Sequence, residues 1–218
     1  MDVYAVSDLV KEVKVLLDRN QESAGLLAPS DSDTLSQAEL IESKIVDAAR
    51  IILSDAPEDM VEGTLCTNEV TWTDSNGYYV GNMVLPTDIL RIISVKADDW
   101  NRPAEIISES DDAYKYQKCK YGVRGNPERP IAAIVHTANG KSIELYTSKK
   151  NDATLAFIYV QVPSITTDQK ISLPSVLKDS ILYMAGYLTC ISLGDTDTAS
   201  KFIEVARNLA HIVEPTTS

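Results

Sequence analysis

Residues 71–85 read "TWTDSNGYYVGNMVL". Two runs rich in aromatic and β-branched residues flank Asn76-Gly77. That dipeptide supplies the positive φ angles of a tight hairpin turn. The stretch therefore predicts a β-hairpin in the middle of the chain. Downstream, "IAAIVHTANGKSIELYT" at 131–147 repeats the device with Asn139-Gly140, and "ATLAFIYVQV" at 153–162 follows as the third strand of an antiparallel meander. Between the two turns lies "LPTDILRIISVKADDWNRP", residues 85–103. Ile89, Ile92, Ile93 and Val95 are β-branched, as a strand prefers. This strand ends in Asp98, Asp99, Trp100, Asn101, Arg102 and Pro103. Residues 104–130 predict a short helix near 111–117 and then a loop rich in Gly and Pro.

Both flanks carry helical spacing instead. Val6, Leu9, Val10, Val13, Leu16 and Leu17 form one stripe, and "NQESAGLLAPSDSD" at 20–33 interrupts it. A second helix starts at Ser36, where Glu39 completes a capping box. Its face is Leu40, Ile41, Ile45, Ala48, Ala49 and Ile52, and Pro57 ends it. Near the C-terminus, Pro174 suits a first helical turn. Residues 174–193 are apolar on nearly every side, which predicts a central helix. Gly194 is a suitable C-cap. Asp197 or Thr198 is expected to cap a last helix with the face Ala199, Phe202, Ile203, Ala206, Leu209 and Ala210. The tail "HIVEPTTS" is expected to be loose or docked on a partner. The expected fold class is α+β, a helical body formed by N- and C-terminal helices with a β-rich antiparallel insertion. The expected division is 1–64 for the N-terminal helices, 65–162 for the insertion, and 163–218 for the C-terminal helix pair and tail.

The 218 residues are 44% hydrophobic and 24% charged, a balance typical of soluble globular chains. The start, "MDVYAVSDLVKEVK", lacks the basic beginning and apolar run of a signal peptide. Residues 181–193 form the longest nearly uncharged apolar stretch, too short to span a bilayer. No membrane association is expected. Cys66, Cys119 and Cys190 are odd in number and widely spaced, which argues against a disulfide framework or a zinc motif and for a reduced, intracellular setting. Net charge is −12, and residues 1–64 hold 14 acids against 5 bases. Such a chain lacks the basic field that tight DNA binding needs.

Catalytic patterns are not found. His136 and His211 have no ligand or nucleophile at useful spacing, and no phosphate loop, serine elbow or zinc-protease motif occurs. Asp98-Asp99 and Asp111-Asp112 read as surface or turn acids, because adjacent strand residues face opposite ways. No enzyme activity, metal or cofactor is expected. The concentrated feature is "YKYQKCKYGVRGNPER" at 114–129, with Lys115, Lys118, Lys120, Arg124 and Arg129 against Glu128. Tyr114, Tyr116 and Tyr121 are interleaved. A solvated loop with inward tyrosines, a protein interface that meets an acidic neighbour, and a single-stranded nucleic-acid platform are the three readings. The candidate interface comprises Trp100, Arg102, Lys115, Lys118, Lys120, Tyr121, Arg124 and Arg129. Trp100 is either an interface anchor or a lid on the β-core.

Leu85-Pro86-x-Asp88-x-Leu90-Arg91, Ser94-Val95-Lys96 and Trp100-x-Arg102-Pro103, with "YGVRGNPERP" and "ELY" later, resemble a pattern in head–tail connector proteins of tailed bacteriophages. The chain looks most like the adaptor or ring proteins of crAss-like short-tailed phages, over most of residues 4–210. The resemblance implies a homo-oligomeric ring, usually of about twelve copies, beneath the portal at the head–tail junction of the virion. It implies assembly in the host cytoplasm, contact with the portal and further tail proteins, and transient non-specific proximity to genomic DNA. The alternative is a monomeric tail-assembly chaperone or a nucleic-acid accessory module.

Overall fold

A computed structural model of the chain describes residues 1–17, 36–119, 124–138 and 140–212. In chain order its first elements are β1 (Asp2–Ala5), α1 (Val6–Leu16), α2 (Gln37–Asp55), β2 (Thr64–Leu65), β3 (Thr71–Asp74), β4 (Tyr79–Val84) and β5 (Ile89–Ala97). β6 (Glu105–Ser108), α3 (Asp112–Gln117), β7 (Ile131–Thr137), β8 (Gly140–Ser148) and β9 (Leu155–Gln161) follow. β10 (Lys170–Leu173), α4 (Lys178–Ser192) and α5 (Thr196–Leu209) complete the series, with short 3-10 turns at Glu58–Met60 and Ser175–Leu177. The chain divides into two compact units, residues 1–62 with 162–218 and residues 63–161. The expected boundaries were 64/65 and 162/163.

The expected fold class needs correction. The described residues are sheet-rich, with 32% strand against 38% helix and three separate sheets, so a helical body built from the chain ends is not the architecture. The end-derived unit holds its own sheet, in which β1 pairs antiparallel with β10, Asp2 opposite Leu173 and Ala5 opposite Lys170. "DVYA" and "KISL" are each four residues long, too short for a period-2 pattern to stand out beside helical neighbours. The middle is not a single antiparallel meander either. β6 pairs parallel with β7, Glu105 opposite Ile131, across a connection that contains α3. β9 leaves β8 and joins β2 and β5 in a second sheet.

The acid pair after β5 binds the loop that leads into β9. Asp99 Oδ2 accepts a hydrogen bond from Lys149 N at 2.7 Å, and Lys150 Nζ donates to Asp98 at 3.0 Å. Asp98 N in turn donates to Thr154 O at 3.0 Å. These contacts hold the β8–β9 loop beside the end of β5, so β9 enters alongside β5. The five-stranded sheet has the order β3-β4-β8-β7-β6 and the three-stranded sheet the order β2-β9-β5. Met83, Ile143 and Leu145 from the first share one core with Val95, Phe157 and Tyr159 from the second. The β3–β4 turn has the expected chemistry, with Asn76 at φ 59° and Gly77 at φ 84°. Asn139 of the second expected turn lies outside the described residues, and Gly140 beside it has φ 108°.

In the other unit, Val6, Leu9, Val10 and Val13 form the buried stripe of α1. Ser36 caps α2 through a reciprocal box with Glu39: Ser36 N donates to Glu39 Oε2 at 2.7 Å, and Glu39 N to Ser36 Oγ at 3.3 Å. The stretch 174–193 is a 3-10 turn followed by α4, and α4 packs against α1, α2 and α5. Gly194, at φ 77°, ends α4. The cap of α5 is neither Asp197 nor Thr198. Asp195 holds it, accepting from Thr198 N at 3.2 Å. The tail beyond Ile212 lies outside the described residues.

The α4–α5 contact depends on Gly186. A Cβ there would fall 2.5 Å from the Phe202 ring. Gly186→Ala is therefore expected to destabilise this unit. Overpacking of about 1–3 kcal/mol exceeds the helical gain of about 0.5–1 kcal/mol from replacing glycine. Pairing it with Phe202→Leu should recover most of the loss in chemical denaturation, a coupling that independent sites would not show.

Candidate functional site

Three stretches distant in sequence meet at one corner of the β-rich unit. The first follows β5, the second is the turn 124–130, and the third is the end of β8. Trp100 closes the first, with its Nε1 donating to Thr147 O at 2.9 Å. Asn101 N donates to Pro127 O at 2.9 Å, and Glu105 N to Pro130 O at 2.9 Å. Thr147 Oγ1 donates to Gly125 O at 3.0 Å, and Gly125 N to Gln117 Oε1 at 2.8 Å. The links at Thr147 O, Gly125 O and Gly125 N satisfy buried backbone groups that would otherwise be stranded.

The turn itself is built by Asn126. Its Oδ1 accepts from both Glu128 N and Arg129 N at 3.0 Å, while Asn126 and Arg129 also exchange backbone hydrogen bonds. This side-chain mimicry of a turn is a habit of asparagine. It fixes Pro127-Glu128 at the apex and sends Arg129 back toward Arg102.

The result is a surface hollow of about 700 Å³ lined by Arg102, Glu105, Arg124, Asn126, Glu128 and Arg129, among others. Arg102 and Arg129 are exposed and Arg124 is half-buried. Arg124 stacks over the Tyr146 ring at 5.3 Å and donates to Ser75 Oγ at 2.9 Å, while its Nε is buried without a partner. Among the described residues, none of the three arginines forms an ion pair with a carboxylate.

Beneath Arg124 lies a small phenol–carboxylate group. Tyr146 Oη donates to Glu144 Oε2 at 2.5 Å, and Tyr114 Oη to the same oxygen at 3.1 Å. Burial first, and then the bond to the Glu144 carboxylate, push the Tyr146 phenol far above its usual range. The same causes raise Tyr114. In the unfolded chain both phenols ionise near about 10. The folded state therefore holds protons that the unfolded state has lost, and stability should fall as pH rises above about 10. Tyr146→Phe is expected to flatten that alkaline decline of the melting temperature. An unchanged slope would show that the phenol does not stay protonated in the fold.

The sequence-predicted residues are not all brought together. Arg102, Arg124 and Arg129 are. Trp100 is 2% exposed and belongs to the core, which fits the lid and not the surface anchor. Lys115 pairs with Asp112 at 2.8 Å on α3, and Lys118 lies over the Tyr114 ring at 5.4 Å, so neither lines the hollow. Lys120 and Tyr121 lie outside the described residues. Of the interleaved tyrosines, Tyr114 turns inward and Tyr116 is 53% exposed. Sequence reasoning missed Glu105, Asn126 and Glu128 as site members. The Asn-Pro-Glu-Arg order at 126–129 carries a turn signal that marks the place, but Glu105 becomes a neighbour only through the parallel β6–β7 pairing.

His136 Nδ1 sits 2.8 Å from Glu109 Oε1 on the surface. Glu109 is held below the usual carboxylate range, chiefly by the backbone N–H of His136. Among the described residues no group of His, Cys, Asp and Glu is placed to hold a metal, and no helix is long and apolar enough to cross a membrane. Compared with protein-family models and with curated proteins, the chain matches none.

Proposed function

We propose that this chain is a structural head–tail adaptor of a tailed bacteriophage, a ring subunit that seats beneath the portal, extends the DNA channel and joins capsid to tail. One observation carries the reading. Parts of the stretches that bear the resemblance to connector proteins meet at the corner just described: Trp100 and Asn101 from 85–103, Arg124, Gly125 and Pro127 from 121–130, and Tyr146 from 144–146, which lies under Arg124, with Thr147 beside it as the hydrogen-bond partner. Parts of a pattern spread over some sixty residues thus meet in one local structure, as a family framework would. Two further features fit a channel component. The net charge of −12 disfavours a grip on DNA, and an acidic lumen repels phosphate and lets a duplex slide. The unmatched arginines at the corner suit contacts between subunits, because a guanidinium fork matches a carboxylate.

In this role the polar groups of the corner hold shape and do no chemistry. The test is the particle mass and class-averaged electron micrographs of the purified chain, alone and with portal. A ring supports the adaptor. A monomer under both conditions supports the chaperone or accessory-module alternative.

A further inference from the structure

We infer that the arginine-lined hollow receives the acidic turn at residues 55–62 of a second copy of this chain. The inference rests on the ring reading above and names the contact that joins neighbours.

The hollow offers unmatched positive charge. Arg102, Arg124 and Arg129 line it together, no carboxylate among the described residues lies within ion-pair distance of them, and Arg124 keeps a buried Nε unsatisfied. A buried donor left without an acceptor is unfavourable, and an incoming carboxylate relieves it. Glu105 and Glu128 on the same wall make the site mixed in sign. A continuous phosphate backbone, which needs a stripe of cations, fits such a wall poorly. Discrete carboxylates set between the two glutamates fit it better.

The chain itself carries the complement. Five other acids pair with a lysine or arginine: Asp8 with Lys11, Glu12 with Lys178, Asp47 with Arg50, Asp98 with Lys150 and Asp112 with Lys115. Asp55, Glu58, Asp59 and Glu62 fall within one short turn where α2 ends, and all four are exposed. No lysine or arginine occurs between Arg50 and Arg91 to neutralise them. Glu62 meets the N-terminal ammonium, and among the described residues no ion pair forms at the other three. Pro57 and the 3-10 turn fix the backbone that carries these carboxylates, which limits the entropy lost on docking.

The test is a charge exchange in the full-length chain. R102E/R129E reverses the hollow at two exposed positions and spares Arg124, which packs on Tyr146. D55K/E58K/D59K reverses the turn. Circular dichroism checks that each variant is folded. Each alone is expected to associate at least about tenfold more weakly than wild type in sedimentation, and the equimolar mixture is expected to recover most of the loss, since every mixed contact again pairs opposite charges. Wild-type-like association of either variant, or a mixture no better than its components, overturns the inference while leaving a wild-type ring intact. A synthetic peptide of residues 54–62, titrated into the full-length chain, tests the pairing even where the wild type stays monomeric and the ring reading fails. Binding lost in R102E/R129E sustains the pairing. No binding overturns it, and so does a single-stranded oligonucleotide that binds more tightly with the same dependence on Arg102 and Arg129.

Discussion

Trp100→Ala should lower the stability of the β-rich unit by about 3–5 kcal/mol, the usual range for truncating a buried large aromatic. The side chain is 2% exposed and packs among Val95, Ala97, Leu145 and Phe157. Its removal opens a cavity and also strips Thr147 O of the indole donor at 2.9 Å. For a unit of this size the melting temperature should drop by more than about 10 °C. Both tryptophans, Trp72 and Trp100, lie in this unit, so in the variant the fluorescence of Trp72 alone reports its unfolding. Trp100→Phe should cost less, since it keeps most of the volume and loses only the hydrogen bond. A variant that melts like wild type but fails to associate would restore Trp100 as an interface anchor and remove it from the core.

Gly125→Ala is the second large effect, expected at about 3 kcal/mol, the upper part of the overpacking range. A Cβ at Gly125 would lie 2.7 Å from Tyr146 O and 3.0 Å from Ile131 N. Both obstacles are backbone atoms of β8 and β7, so a flexible side chain cannot yield to make room. Gly77→Ala provides the contrast. It has open space around it but a φ of +84°, so its penalty is conformational, about 1–2 kcal/mol. The ordering Gly125 above Gly77 in denaturant midpoints checks the account. Equal losses would mean that the corner accommodates a methyl group and does not fix the arginine turn rigidly.

These two residues show where local sequence patterns suffice and where they stop. The Asn76-Gly77 turn, the Ser36–Glu39 box and the buried stripe Val6, Leu9, Val10, Val13 were legible because each follows from neighbours within four or five positions. The pairing of β1 with β10 was not, since its partners stand about 170 residues apart and each is only four residues long. The transfer of β9 to a second sheet was also hidden. Its apolar, β-branched and aromatic run marks a strand, but its place beside β5 goes with contacts between Asp98, Asp99 and the β8–β9 loop, some fifty positions apart in sequence. The fold class was mistaken for the same reason, because helical periodicity at both ends is strong and long while the sheet among those helices is short.

The candidate site was half legible. Basic and aromatic residues at 114–129 marked the region, yet only Arg124 and Arg129 of that run, joined by Arg102, line the hollow. Lys115 and Lys118 are diverted by α3, whose turn sets them beside Asp112 and Tyr114. Adjacency in sequence suggested one patch of charge, and a helix of six residues divided it.

The proposal that this chain forms a ring at a portal is tested most directly by cryo-electron microscopy of the full-length chain mixed with portal, together with the mass of the complex. The expected result is a closed ring of identical copies on the portal axis, with the corner of Arg102, Arg124 and Arg129 at the contact between neighbours. Single copies scattered on the portal, or a chain that stays monomeric and unbound, would contradict it.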